Sequence, residues 1–156
     1  MSKALVIYYS RSGNTKKMAQ VIGDSLHREG VEAEVKEVAE VKVDELQKAD
    51  AIIIGSPTYY GTMSAEIKKL LDESVKFHGK LDGKVGAAFA SSANLAGGNE
   101  TTILDILCAM LIHGMVIQGD PKGDHYGPVS IGVPDDRSLD ECNRLGRRIA
   151  ALLNKI

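Results

Sequence analysis

Residues 4–15 read Ala-Leu-Val-Ile-Tyr-Tyr-Ser-Arg-Ser-Gly-Asn-Thr: six apolar positions cut off sharply by turn-forming residues. An apolar run of that length without alternation predicts a strand covered on both faces. Helical periodicity takes over at once, with Met18, Ile22 and Leu26 recurring at i, i+4 and i+8. Gly30 ends that helix after His27-Arg28, cations suited to a helix carboxyl end. A buried strand feeding an amphipathic helix through a short polar loop is the unit from which parallel sheets are wound.

The same alternation continues along the chain. Residues 31–38, VEAEVKEV, alternate apolar and charged and predict a half-exposed strand at a sheet edge. Asp44 to Lys48 predicts a short helix, and Ala51-Ile52-Ile53-Ile54 a second fully buried strand stopped by Gly55-Ser56-Pro57. A helix over 64–75, a strand over 84–90 and a strongly apolar helix over 101–113 follow. Met115-Val116-Ile117 opens the last strand, which a loop over 119–128 interrupts before it resumes over 129–133. A helix over 138–154 closes the chain, with Leu139, Cys142, Leu145, Ile149 and Leu152-Leu153 inward. Residues 1–156 therefore predict one α/β domain, a three-layer sandwich whose five-stranded parallel sheet runs in the order 2-1-3-4-5.

Composition removes several classes of partner. Lys and Arg total 19 against 21 Asp and Glu, interleaved to a formal net charge of −2. No basic stripe exists to neutralise a phosphate backbone, so no nucleic-acid partner is expected. Cys108 and Cys142 lie far apart and read as inert thiols, Cys108 as a buried small hydrophobe in an apolar helix. His27, His78, His113 and His125 show no ligand-spaced pair, so no metal is expected. The first apolar run is too short for a signal core, and no stretch reaches membrane-spanning length. A cytoplasmic protein with no membrane partner is the expectation.

In such a sheet every strand-to-helix loop emerges at the strands' carboxyl ends, and ligands sit where the strand order reverses. The loops after strands 1, 3 and 4 are the most distinctive in the sequence. Ser10-Arg11-Ser12-Gly13-Asn14-Thr15 offers three hydroxyls, a glycine and a helix start, an arrangement that binds a phosphate dianion. A plain turn with an Asn or Ser helix cap is its other reading. Ser56-Pro57-Thr58-Tyr59-Tyr60-Gly61-Thr62-Met63 places two adjacent aromatics on a polar loop, which suggests stacking on a planar ligand. Alternatively, both tyrosines pack on neighbouring loops. Ser91 to Glu100 supplies hydroxyls, Asn94, Asn99 and Gly97-Gly98, and gains meaning only beside the other two.

These three loops, in this order and spacing, resemble the flavodoxin superfamily. The first matches its [ST]-x-[ST]-G-x-[ST] FMN phosphate loop at Ser10, Ser12, Gly13 and Thr15. GSPTYYGTMSAEIKKLLD and SSANLAGGNETT…HGMVI look like the WrbA branch, the flavodoxin-like NAD(P)H:quinone oxidoreductases. The likeness implies a flavodoxin-like fold, FMN as cofactor, and phosphate binding by Ser10, Arg11, Ser12, Gly13, Asn14 and Thr15. It implies ring contacts from Pro57, Thr58, Tyr59, Tyr60 and Gly61, and from Ser91, Ser92, Ala93, Asn94, Leu95 and Gly97. His113 matches the histidine before Gly-Met that lies over the flavin in that branch. Its other reading is a helix C-terminal histidine favoured by the dipole, with Gly114 as the cap. His125-Tyr126-Gly127-Pro128 falls in the strand-5 interruption and reads as a solvated loop, its other reading being a segment that reaches the flavin rim.

Two activities follow from the resemblance. As an enzyme, the protein takes two electrons from NAD(P)H and passes them to a quinone, with Tyr60 and His113 able to donate to a developing hydroquinone oxygen. As a carrier, it moves one electron between redox partner proteins. Branch-level motifs and the weak net charge favour the enzyme. The carrier is favoured by the short chain, the lack of Trp, and Ile112 standing where the branch has a second His. Branch membership further implies a homo-oligomer. A phosphoacceptor domain of this fold would need acids where Ser10 and Gly55 stand, and neither G-x-G-x-x-G nor a Walker A loop occurs.

Overall fold

In the computed structural model, which describes residues 1–156, the opening apolar run forms β1 (Lys3–Tyr8), buried at every position after the first. Next come α1 (Asn14–Arg28), β2 (Glu32–Glu37), β3 (Ala51–Pro57) and α2 (Ala65–Glu73). The second half contains β4 (Val85–Ser92), α3 (Asn99–Ile112), β5 (Val116–Ile117), β6 (Val129–Ile131) and α4 (Asp136–Leu153). All strand pairs are parallel, and the order is β2-β1-β3-β4-β5, as the alternation predicts.

The interrupted last strand is two strands in space. β5 pairs with Val85-Gly86 of β4, and β6 pairs with Ala90, Ser91 and Ser92 at the other end of the same strand. Between them the chain leaves the sheet and returns. The short helix expected at 44–48 is a 3-10 turn spanning Val43–Lys48.

Side-chain alternation divides the core between the two faces of the sheet. Leu5, Ile7, Ile52 and Ile54 meet Ile67, Leu70, Ile103, Ile106 and Met110 beneath α2 and α3. Val6, Ile53 and Phe89 meet Met18, Ile22, Leu26, Cys142 and Ile149 beneath α1 and α4. Phe89 is fully buried, which stabilises by roughly 2–3 kcal/mol. Its ring lies 2.1 Å from where a side chain on Gly55 would begin, so only glycine fits there. No helix is long and apolar enough to cross a membrane.

One expectation about the core fails. Cys108 is exposed, whereas Cys142 is buried and its thiol pKa is pushed up to about 12 by burial. The cause lies in α3, which is apolar on nearly every side. Ile103, Ile106, Leu107 and Met110 take the core and leave Leu104, Cys108, Leu111 and Ile112 outside. A helix with no polar stripe carries no phase from which burial can be read.

Candidate functional site

The carboxyl ends of β1, β3 and β4 lie side by side in the sheet, with Tyr8 level with Gly55 and Pro57 level with Ser91. The three loops therefore start together. Hydrogen bonds fasten them: the Thr58 N–H donates to the Ser91 carbonyl at 2.7 Å, and the Thr15 and Ser91 hydroxyls share a bond at 2.9 Å. The closest approach joins Gly61 and Gly98. A Cβ on Gly98 would fall 2.6 Å from the Gly61 Cα, and Gly98 has φ +102°, where L side chains are strained.

Helix starts differ in how they are capped. α2 is capped by Ser64, whose hydroxyl accepts from the Ile67 N–H, and α4 by Asp135, whose carboxylate accepts from the Ser138 N–H. α1 and α3 start instead from left-handed glycines, Gly13 and Gly98, with no side-chain cap. Around α1 the N–H groups of Ser10, Arg11, Ser12, Asn14, Thr15 and Lys16 have no acceptor in the protein, and the first turn carries no acid. Gly13 donates inward, to the Ser10 hydroxyl at 3.0 Å. Converging free N–H groups, the positive end of a 15-residue helix and nearby hydroxyls form a donor set suited to a phosphate dianion.

The second loop forms a two-residue turn. Tyr59 and Thr62 exchange both backbone hydrogen bonds, at 2.9 and 3.2 Å, across Tyr60 (φ 49°) and Gly61 (φ 80°). Two consecutive positive φ values are the signature of a type I′ turn, and a tyrosine in that region costs about 1 kcal/mol. Its ring is completely exposed at the tip. Tyr59 is half-buried and meets Tyr9 edge-on at 6.3 Å, and its buried hydroxyl finds no partner. An exposed ring on a strained turn and an orphaned hydroxyl beneath it fit a flat, polar-edged ligand. In the third loop, Ser92 donates to the Asn94 carbonyl, Gly97 N–H donates to Asn94, and Leu95 is largely exposed. The donor set at α1 and the open ring platform together fit a ligand that carries a phosphate and a planar ring, as a flavin nucleotide does.

The structure thus brings the expected residues of all three loops to one edge, but His113 does not join them. α3 starts at this edge and runs away from it for 14 residues, about 20 Å. His113 follows at its far end, 8% exposed, with Nε2 bonded to the Ser74 hydroxyl at 2.8 Å. The Ser74 hydroxyl also donates to the Leu71 carbonyl, so its one proton is spent there and it accepts from Nε2–H. His113 Nδ1 is left buried without a partner. Burial, and secondarily His78, lowers its pKa below the ordinary imidazole value, so the ring is neutral at physiological pH. His113 stands at the C-terminus of α3 with Gly114 at φ 80° after it, as a buried ring and not a dipole-favoured cation, and its direct role over the flavin of its own chain is withdrawn. Likewise, His125 lies in the loop between β5 and β6 and bonds through Nδ1 to the Asp120 carbonyl.

Two contributors escape the sequence reading. The Thr101 hydroxyl shares its one proton between the carbonyls of Gly61 and Gly98, and the Thr102 hydroxyl donates to the Gly98 carbonyl at 2.8 Å and accepts from the Thr58 hydroxyl at 3.0 Å. They clamp the second loop to the third. The available signal was a pair of hydroxyls directly after a glycine-started helix.

With this geometry in hand, comparison with known proteins is specific. The profile of the flavodoxin domain family matches residues 5–104. The chain is 36% identical to an NAD(P)H dehydrogenase (quinone) of Archaeoglobus fulgidus, both chains being covered in full. It is 38% identical to a flavodoxin of Aquifex aeolicus, covering 96% of this chain and 86% of the relative. The fold superimposes on a WrbA-like flavodoxin from Agrobacterium tumefaciens with a TM-score of 0.84, at 27% identity and 99% coverage of both chains. The first alignment runs to 190 positions and the second to 159, against 156 residues here. The dehydrogenase therefore carries inserted segments that this chain lacks, and the flavodoxin hardly any.

Proposed function

The chain belongs to the flavodoxin family, in its WrbA-like branch, and on that footing we propose that it binds FMN across the three loops and acts as an NAD(P)H:quinone oxidoreductase. The observation that carries the reading is the convergence of six acceptor-free N–H groups at α1 with the exposed Tyr60 turn, on one sheet edge. Residues 10–15 hold the phosphate through backbone donors, and Arg11 adds charge at the rim. Pro57 to Gly61 and Ser91 to Gly97 hold the ring from two sides. The Tyr60 side chain borders the ring, where it can order a planar reactant, and its hydroxyl can donate to an oxygen of the reduced acceptor. Thr101 and Thr102 keep the two ring loops at fixed separation. Bound there, the flavin supplies reversible two-electron chemistry, so no side chain of the chain need act as a base.

The same reading takes residues 1–156 as a single FMN-binding domain, supported by all six strands sharing one sheet. A cytoplasmic location accords with the exposed, unpaired Cys108, which suits a reducing compartment. One observation favours a second reading, a carrier working between redox proteins: the chain matches its flavodoxin relative almost without insertions. Anaerobic titration of the FMN-loaded protein with NADH and NADPH, followed by a quinone, separates the two. Bleaching by a nucleotide and recovery with the quinone is expected. Bleaching by dithionite but by neither nucleotide would establish the carrier.

A further inference from the structure

The candidate site ends at the third loop, yet the sheet continues beyond it. β6 lies beside β4, with Ser91 level with Ser130 and Ser92 level with Ile131, one strand spacing of about 4.8 Å further on. Between the third loop and β6 runs an open groove of about 620 Å³, a volume in the range of small-molecule sites. Leu95, Ala96, Val129 and Ile131 give it apolar walls, and Glu100 and Arg137 also line it. Leu95 and Ile131 are large side chains that the fold leaves exposed. Resting on the oxidoreductase reading above, we propose that this groove receives the adenosine diphosphate half of the nicotinamide dinucleotide, and that Glu100 selects NADH over NADPH.

The chemistry of the lining selects this occupant. Exposed apolar side chains at Leu95 and Ile131 suit a flat base. Arg137 donates through one nitrogen to Asp124 and through another to the Val129 carbonyl, which fixes its fork while other N–H donors stay open to a diphosphate. Glu100 is exposed and enters no ion pair, since Arg137 pairs with Asp124 instead. Its carboxylate is therefore free to accept from both hydroxyls of a ribose. A base, a diphosphate and a diol thus each meet a matching group in one groove. A quinone has neither charge nor diol to use Glu100 and Arg137. An acidic protein surface would meet the exposed Glu100, Asp135 and Asp136.

Leu95 belongs both to the groove and to the loop assigned to the flavin ring, so one dinucleotide can lie across the two. A carboxylate on the ribose diol is the general device for choosing NADH. NADPH carries a 2′-phosphate in place of one hydroxyl, so it brings negative charge against Glu100 and loses a donor at the same point. Glu100 also stands in the first turn of α3, where a carboxylate favours any helix. Stability therefore says nothing about this role, whereas the ratio between the two nucleotides does.

ADP-ribose carries this half of the dinucleotide without the reactive ring, and calorimetry with it on the FMN-loaded full chain tests the groove. Flavin then occupies the phosphate loop, so the heat reports a separate site. Wild type should bind ADP-ribose, and 2′-phospho-ADP-ribose about tenfold more weakly. Glu100→Gln should bring the two within about twofold, and the NADH-over-NADPH preference in anaerobic stopped-flow reduction of the flavin should collapse with it. Ile131→Asp, at an exposed position outside the three loops, should lose ADP-ribose while its flavin spectrum stays unchanged. A wild type that NADH bleaches but that takes up no ADP-ribose at about 10 mM overturns the groove and leaves the oxidoreductase reading standing. A nucleotide preference that survives Glu100→Gln, or ADP-ribose binding that survives Ile131→Asp, does the same. A flavin that neither nucleotide bleaches overturns both.

Discussion

The loop after β1 and the loop between β5 and β6 are both polar and both leave the sheet, yet they treat their hydrogen-bonding groups in opposite ways. Loop 118–128 ties its carboxylates to neighbouring arginines. Asp120 receives Arg144 through two nitrogens and lies 3.5 Å from Arg148, while Asp124 takes Arg137 and the Val129 N–H. Arg148 also donates to the Gly119 carbonyl. The loop after β1 spends one N–H on a side chain and leaves six without an acceptor. Charged side chains that close on one another build a rigid connection, whereas backbone donors left open at a helix start build a binding site. Polarity alone does not distinguish the two; the ion pairs that close one and the helix start that the other opens onto do.

The sharpest way to break that contrast is to close the open loop. Gly13→Asp should abolish FMN binding, lowering affinity by more than about a thousandfold, or ~4 kcal/mol, in a flavin fluorescence titration. No atom lies within 4 Å of the new Cβ, so the lesion is the carboxylate facing the phosphate and the strain at φ +96°, not a clash. Riboflavin, which has no phosphate, should bind wild type and variant alike. An FMN affinity that survives the substitution would falsify the phosphate assignment. Next comes Gly98→Ala, whose Cβ would drive into Gly61. It should weaken FMN and riboflavin together by about thirtyfold, or ~2 kcal/mol, because it parts the loops that hold the ring. A loss confined to FMN would place the ring elsewhere.

Fold and site were legible to different depths. Unalternating runs such as Ala51–Ile54 mark central strands and VEAEVKEV an edge, a burial pattern that the doubly wound order 2-1-3-4-5 fits. Turn residues at each strand end then located the three loops. Two things were hidden. Cys108 was misplaced because α3 lacks a polar stripe to orient it. His113 was carried to the flavin by a motif match, although a helix of that length must deliver it to the opposite edge of the sheet. Helix length was in the sequence, and it outweighs the motif. The Thr101–Gly61 clamp was not readable, because it joins residues 40 apart through a turn whose geometry only the structure gives.

Smaller effects sharpen the contrast from both sides. Tyr60→Ala removes a ring that touches solvent only and keeps the Cβ that strains the turn at φ 49°, so stability should hold. Flavin affinity should fall by about tenfold, the worth of one stacking contact. An unchanged affinity would mean the ring stacks elsewhere.

Asp120→Asn is the mirror test, in the loop that closes on itself. Flavin binding should not move, since Asp120 lies between β5 and α4 and touches none of the three site loops. Stability should, by about 4 °C in Tm at neutral pH, as Arg144 and Arg148 lose their counter-charge. The sign with pH is fixed by the direction of the shift. Arg144 holds the Asp120 carboxyl well below its ordinary value of 3.8, so the folded state binds its proton less readily than the unfolded chain does. The stabilisation is complete above that ordinary value and fades as acid titrates the folded carboxylate. Thermal melts of wild type and variant should therefore stand apart at neutral pH and draw together as the pH drops below 3.8. Curves that stay equally separated in acid would show that the asparagine costs packing and not charge, and the loop would then owe its rigidity to something other than its ion pairs.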